Sequence, residues 1–121
     1  MNPAQRILVA EWRRLVEDGT AAIVGPIRHE ILSGVRDVAV FERLRDHLAG
    51  FDCIAIGIDD DDEAARFFDI LRARGVAGGA VDLVLCAVAH RREIPIFTTD
   101  RDFERSARHL PISLHEVVAR P

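Results

Sequence analysis

Two aspartates stand two residues apart directly after an apolar run in the last third of the chain. They are Asp100 and Asp102, in the segment IPIFTTDRDFER. The residues from Ile94 to Thr98 predict a buried strand, and those from Arg101 to His109 predict a helix. Ligands of open parallel sheets bind at the carboxyl ends of the strands. Asp100 is therefore either a helix cap or a metal ligand. We favour the metal ligand, and we expect Asp102 to be partly the cap.

Two further acidic residues are placed where they could join Asp100. Asp82 is the only charged residue in GGAVDLVLCAVAH, which opens an apolar helix predicted from Ala80 to Arg91. A buried carboxylate is costly unless it is paired or binds a cation, so Asp82 is either a helix cap or, as we favour, a metal ligand. Glu30 lies about one helical turn after a strand predicted at Thr20–Val24. The isoleucines beside Glu30 predict a half-buried carboxylate.

Carboxylates that meet at one rim of a sheet would form a site for a hard cation. The candidate ligands are Glu30, Asp82, Asp100 and Asp102. Oxygen ligands without clustered cysteine or histidine select Mg²⁺ or Mn²⁺ rather than zinc, and His29 is expected to be a bystander. Such an ion generates hydroxide and neutralises phosphate oxygens, so the expected chemistry is phosphodiester hydrolysis.

The densest acidic run, Asp59 to Glu63, is expected to be structural. It immediately precedes an amphipathic helix, so Asp59 or Asp60 is predicted to cap that helix while the other acids face its positive end. This explains five consecutive acids without a metal.

Composition excludes several other functions. All sixteen basic residues are arginine, and the absence of lysine excludes a P-loop or a Schiff-base enzyme. The net charge of −4 argues against a non-specific nucleic-acid binder. Cys53 and Cys86 form no metal motif and are predicted to be buried core residues. No apolar stretch is long enough to cross a membrane and no signal peptide is visible, which predicts a cytoplasmic protein.

The order of elements predicts one α/β domain over residues 1–121. A helix capped by Asn2 opens the chain, and helices then alternate with strands at Thr20–Val24, Phe51–Ile58, Ile94–Thr98 and Ile112–Leu114. Alternation of this kind predicts a mostly parallel sheet with helices on both faces, a three-layer sandwich.

Two long segments resemble the PIN domain family, specifically VapC-type toxin ribonucleases of type II toxin–antitoxin systems. They are IVGPIRHEILSGV and AVDLVLCAVAHRREIPIFTTDRDFERSA. The positions that match the family's motifs are Glu30, Asp82, Thr98, Asp100, Asp102 and Phe103. The resemblance implies a Rossmann-like PIN fold, a homodimer and Mg²⁺- or Mn²⁺-dependent cleavage of RNA. It also implies inhibition by a VapB-like antitoxin, and a role for Thr98 in orienting the metal-bound water or an acidic ligand.

The resemblance has one departure at its start. The family normally begins with a short strand ending in an Asp central to the metal site, whereas this chain begins at the helix that follows that strand. We expect a truncation, a strand supplied by another chain, or a degenerate family member. In each case the first strand and the first metal carboxylate are not assigned here.

Three functions are therefore compared. The first is a ribonuclease toxin, intact or crippled; the second is a non-catalytic PIN-like module that binds an antitoxin or regulates its operon. The third is an unrelated α/β binding protein whose acids are caps and surface charge. In the first, RNA phosphates would contact arginines that flank the acids, although each could equally lie on an ordinary solvated helix face. These are Arg91, Arg92 and Arg101, with Arg105 and Arg108.

Overall fold

Six α-helices and two short strands make up residues 2–117, the part of the chain that the structure, a computed structural model, describes. In chain order they are α1 (Pro3–Glu17), β1 (Ala22–Val24), α2 (Gly25–Leu32), α3 (Val38–Leu48), β2 (Asp52–Ile54), α4 (Ile58–Ala73), α5 (Ala80–Arg92) and α6 (Arg101–Ala107). The chain folds as two compact units. One contains the described residues up to Ala55 together with Val117, and the other is Ile56–Glu116. A single-domain organisation stays a prediction.

The first unit pairs β1 with β2 in parallel, as the alternation of strands and helices predicts. Ile23 lies opposite Cys53 in this pairing, and Val24 is almost completely buried. Helix α1 begins with a capping box, in which the Asn2 side chain accepts a hydrogen bond from the Gln5 backbone at 2.8 Å and the Gln5 side chain accepts one from the Asn2 backbone at 3.0 Å. Two backbone donors that a helix start leaves unpaired are thereby satisfied.

The second unit has its core between α4 and α5. Helix α4 buries Ala64, Phe67 and Leu71, which recur at i, i+3 and i+7 and so lie on one face. They belong to one apolar cluster with side chains of α5, of α6 and of the segments beside them. Its members from these parts are Leu83, Cys86, Ala87, Ala89, Ile96, Phe103 and Leu110.

A buried ion-pair network joins the start of α4 to the end of α5. Asp60 is fully buried, and its Oδ1 accepts hydrogen bonds from Arg91 at 2.8 Å and Arg92 at 2.9 Å. Its Oδ2 accepts from Arg92 at 3.2 Å and from the Gly57 backbone at 2.9 Å. Hydrogen bonds from Arg92, joined by those from Gly57 and Arg91, hold the pKa of Asp60 well below its ordinary value of 3.8, although burial acts in the opposite direction. The network therefore fixes α4 and α5 as antiparallel neighbours.

The cap of α4 differs from the prediction. Helix α4 begins at Ile58, earlier than expected, so Gly57 is the N-cap and neither Asp59 nor Asp60 is. Asp60 is the third residue of the helix, from which its carboxylate reaches back to the Gly57 N–H. The expectation that this acidic run is structural is retained, but its second residue, Asp60, is buried rather than solvated.

Several predicted strands are shorter than expected. The strand predicted at Phe51–Ile58 is confirmed only over Asp52–Ile54. The strands predicted at Ile94–Thr98 and Ile112–Leu114 are reduced to one parallel bridge between Ile96 and Leu114. Parallel α/β architecture is thus confirmed, while the three-layer sandwich stays a prediction. Within residues 2–117, no helix has both the length and the apolar character needed to cross a membrane.

The two cysteines differ in their surroundings. Cys86 is buried, as predicted, but Cys53 is exposed, so its predicted burial is wrong. Cys53 lies in β2, where the burial pattern is exposed, exposed and intermediate. The apolar residues that flank Cys53 in the sequence therefore did not indicate that its side chain is buried.

Candidate functional site

The segment before Asp100 is held in place by the bridge at Ile96. The Ile96 N–H donates to the Ser113 carbonyl at 2.8 Å, and the His115 N–H donates to the Ile96 carbonyl at 2.8 Å. Ile96 is buried in the apolar cluster of the second unit. Both hydrogen bonding and burial thus fix the chain a few residues before the aspartates.

Asp100 begins helix α6 and is its N-cap. The Asp100 N–H donates to Thr98 Oγ1 at 3.0 Å, and Asp100 Oδ1 accepts from the Asp102 N–H at 2.9 Å. The expectation that Asp102 is partly the cap is therefore wrong, because Asp102 is already inside the helix and is the donor. Phe103, in the first turn of α6, is buried in the core and anchors the helix.

A capping role leaves Asp100 able to bind other groups. Its side chain is exposed, and only Oδ1 takes part in the cap. An ionised carboxylate offers about four lone-pair positions. Asp102 is also exposed and forms a weak pair with Arg105 at 3.7 Å. Both carboxylates are therefore exposed near the start of α6, and Thr98 holds the Asp100 backbone.

Asp82 is half-buried in the first turn of α5. Its Oδ2 lies 3.8 Å from the position that a Cβ would occupy at Gly79, the N-cap, so the carboxylate is turned back toward the helix start. Burial, reinforced by the negative charge of Asp82, raises the pKa of the Cys86 thiol to about 12. The electrostatic influence of Asp82 thus extends one turn into the core.

Glu30 lies on α2 in the first unit, and its predicted half-burial is wrong. The side chain is exposed, and α2 contains no fully buried residue. The nearby Ile31 is itself 39% exposed, so the apolar neighbours did not indicate a buried face.

The metal-binding arrangement stays a prediction. Asp82, Asp100 and Asp102 belong to the second unit and Glu30 to the first. Across residues 2–117 there is no group of three or more His, Cys, Asp or Glu side chains that could hold a metal ion. The described residues of this chain alone therefore do not fit a fully protein-ligated ion.

The arginines predicted to contact RNA have different environments. Arg91 and Arg92 donate to the buried Asp60, which gives both of them a structural role. Arg101 is exposed at the first position of α6, directly after Asp100. Contact of these residues with RNA stays a prediction.

Two features were missed by sequence reasoning. One is the burial of Asp60. The other is a cavity of about 320 Å³ in the first unit, formed by α2, the residue after it and α3. Its lining residues are Gly25, Arg28, His29, Leu32, Ser33 and Phe41. A signal was present, because the first four recur at i, i+3, i+4 and i+7 and must share one helix face.

The described residues combine parallel strand pairing, helices between strands and exposed aspartates a few residues after the bridge at Ile96. These features are typical of α/β proteins with sites at strand ends. Comparison with known families identifies the class: the PIN domain family profile matches residues 4–109, and this chain belongs to the PIN domain family. PIN domains are Rossmann-like α/β proteins and generally metal-dependent nucleases, so membership indicates a nuclease in the broad sense. Membership of the family excludes the third function considered from the sequence, an unrelated α/β binding protein. Among curated proteins, none matches the chain.

Proposed function

We propose that this protein is a VapC-type endoribonuclease, the toxin of a toxin–antitoxin pair. In this proposal it hydrolyses RNA phosphodiester bonds with Mg²⁺ or Mn²⁺ as cofactor, acts in the cytoplasm as a homodimer and is inhibited by a VapB-like antitoxin. Family membership supports the nuclease class. The choice of RNA and of a toxin rests on the motif resemblance of the segments around Glu30, Asp82 and Asp100.

The geometry of Asp100 is the observation that carries the proposal. The bridge at Ile96 and the hydroxyl of Thr98 fix its backbone, and the cap fixes Oδ1. The remaining oxygen is held at an exposed position without any need for further ordering. A ligand positioned in this way binds its cation at a small entropic cost.

The donor set suits an ion that is bound together with the substrate. Mg²⁺ in sites that act on phosphates is usually held by one or two carboxylates, several waters and the phosphates themselves. Asp82 and Asp100 are the two carboxylates we propose for this role, with Glu30 and Asp102 as additional ligands. Thr98 is proposed to position Asp100, and Arg101 to contact a phosphate.

The test is cleavage of a fluorogenic RNA in Mn²⁺ by the wild type and by Asp100→Asn. Asparagine caps helices as well as aspartate does, so α6 is expected to stay folded while activity falls about 100-fold or more. Glu104→Gln is the matched control, since Glu104 is exposed on the same helix and its replacement by glutamine removes the same charge. Chelation of the metal should abolish activity in the wild type.

A structural arm separates the two roles of Asp100. Asp100→Ala removes the cap as well as the carboxylate and should lower the free energy of unfolding by about 1 kcal/mol, whereas Asp100→Asn should change it little. If Asp100→Asn cleaves RNA as fast as Glu104→Gln does, Asp100 is only a cap and the proposed site is wrong.

A second candidate is a non-catalytic PIN-like module that binds an antitoxin or regulates its operon. It is favoured by the lack of a three-residue metal-binding group in the part of the chain that the structure describes. Binding of a VapB-like antitoxin by a protein that cuts no RNA with Mg²⁺ or Mn²⁺ would support this alternative.

A further inference from the structure

The cavity of the first unit lies between one face of α2 and the start of α3. Gly25, Arg28 and Leu32 line it from α2 and Phe41 lines it from α3, and it is open to solvent. The side chains of Arg28, Leu32 and Phe41 are half-buried, so the walls are partly held by packing. At about 320 Å³ the volume is near the lower end of small-ligand pockets, which is the size class of a single nucleotide.

None of the carboxylates proposed to hold the metal lines the cavity. Glu30 follows His29 by one position on α2 and is not among the residues that line the cavity. The cavity therefore does not duplicate the carboxylate set.

The lining combines a cation with an aromatic wall. Arg28 offers a planar fork of donors suited to a phosphate, and the His29 imidazole lies on the next position. The Ser33 hydroxyl donates to the His29 carbonyl at 2.7 Å, so its oxygen presents lone pairs that can accept from a sugar hydroxyl. Phe41 and Leu32 supply the apolar surface on which a flat ring can stack.

We propose that this cavity is a nucleotide subsite that holds one base and its phosphate from single-stranded RNA. The base lies against Phe41 and Leu32, and the phosphate is held by Arg28 with His29. A ligand with both a flat apolar ring and an anion matches this lining better than an acidic peptide does, because the acidic side chains would not stack on Phe41. This inference rests on the proposed function in taking RNA as the ligand.

The test measures affinity for a labelled single-stranded RNA of mixed sequence by fluorescence anisotropy, in EDTA so that no cleavage occurs. Phe41→Leu should weaken binding about tenfold through loss of stacking. Arg28→Gln should weaken binding and reduce the slope of log K against log salt by about 0.7, the value for one phosphate contact on a single strand. Arg43→Gln is the control, because Arg43 is exposed on α3 and does not line the cavity.

The outcomes are decisive in both directions. Wild-type affinity and salt slope in both Phe41→Leu and Arg28→Gln would overturn the subsite, provided that thermal melting shows the variants to be folded. Polyglutamate, tested as a second labelled probe, addresses a protein partner: if Arg28→Gln loses polyglutamate binding but keeps RNA binding, the cavity belongs to an acidic peptide and the proposal is wrong.

Failure of the subsite is distinguishable from failure of the nuclease. If the wild type cleaves RNA in Mn²⁺ but Arg28→Gln retains its KM and its affinity, only the subsite is wrong. If RNA binds through Arg28 and Phe41 but no divalent metal supports cleavage, the nuclease function is wrong and the subsite stands.

Discussion

Replacement of Asp60 by asparagine should destabilise the second unit strongly. The side chain of Asp60 is fully buried, and its two oxygens accept four hydrogen bonds, three of them from Arg91 and Arg92. Asparagine has nearly the same shape but only one carbonyl oxygen. Its amide nitrogen would therefore face donors at one of the two positions, and at least two hydrogen bonds would be lost.

The expected size follows from the charged bonds and from the exposure of the arginines. Two lost charge-assisted bonds correspond to about 3–6 kcal/mol, because each is worth about 1.5–3 kcal/mol. The side chains of Arg91 and Arg92 are 36% and 31% exposed, so both can regain water when Asp60 is removed. We therefore expect the lower end, a loss of about 3 kcal/mol and a fall in Tm of roughly 10 °C.

The effect should also depend on pH in a defined direction. The pKa of folded Asp60 lies below its ordinary value of 3.8, so the folded state favours the carboxylate. Its contribution to stability is complete above about pH 5 and is lost as the pH falls below 3.8 toward the folded-state pKa. The difference in stability between wild type and Asp60→Asn should therefore be constant from pH 5 to 8 and shrink below pH 3.8.

Urea unfolding followed by far-ultraviolet circular dichroism measures both quantities. Asp61→Asn is the matched control, because it removes the same charge from an exposed position in the same helical turn and should change stability by about 0.5 kcal/mol or less. Equal urea midpoints for Asp60→Asn and Asp61→Asn would refute the reasoning, as would a difference that grows on acidification.

Two further predictions concern the core around α5. A Cβ at Gly78 would lie 3.2 Å from Leu71 Cδ1 and from both Leu83 methyls, so Gly78→Ala should destabilise by about 1 kcal/mol through overpacking. At Gly79 a Cβ would meet only Asp82 Oδ2, at 3.8 Å, so the control variant Gly79→Ser should have a free energy of unfolding within about 0.5 kcal/mol of wild type. Urea unfolding measures both variants. Equal losses of stability at Gly78 and Gly79 would contradict the packing argument. The thiol of Cys86, with its pKa raised to about 12, has a thiolate fraction on the order of 10⁻⁴ at pH 8, whereas Cys53 is exposed. Iodoacetamide at pH 8 should therefore add one group to the native protein, at Cys53, and a second group, at Cys86, only in urea. Mass spectrometry counts the added groups. Modification of Cys86 at the rate of Cys53 would show that the core is open.

The elements with strong local signals were predictable from the sequence. Asn2 followed by Pro3 marks the start of α1 correctly. The parallel pairing of β1 with β2 follows from the helices between them. Each of these depends on residues that are close in sequence.

The features that were missed depend on distant partners. Among the acids from Asp59 to Glu63, nothing local distinguishes Asp60, because its partners Arg91 and Arg92 lie 31 and 32 residues away. Cys53 was placed in a core from its apolar neighbours, but a strand of three residues in a two-stranded sheet leaves it exposed. Asp100 rather than Asp102 caps α6, because the helix boundary, not the residue type, decides which of them is the cap.

The bridge between Ile96 and Leu114 also sets the order in which the proposed site can form. During synthesis Asp100 leaves the ribosome before Ser113 and His115, whose backbone groups hold Ile96. Until those later residues are available, nothing pairs with Ile96, and the chain leading to Asp100 is not fixed. A nascent chain that already contains all four candidate carboxylates therefore still lacks the two backbone hydrogen bonds that hold the segment leading to Asp100.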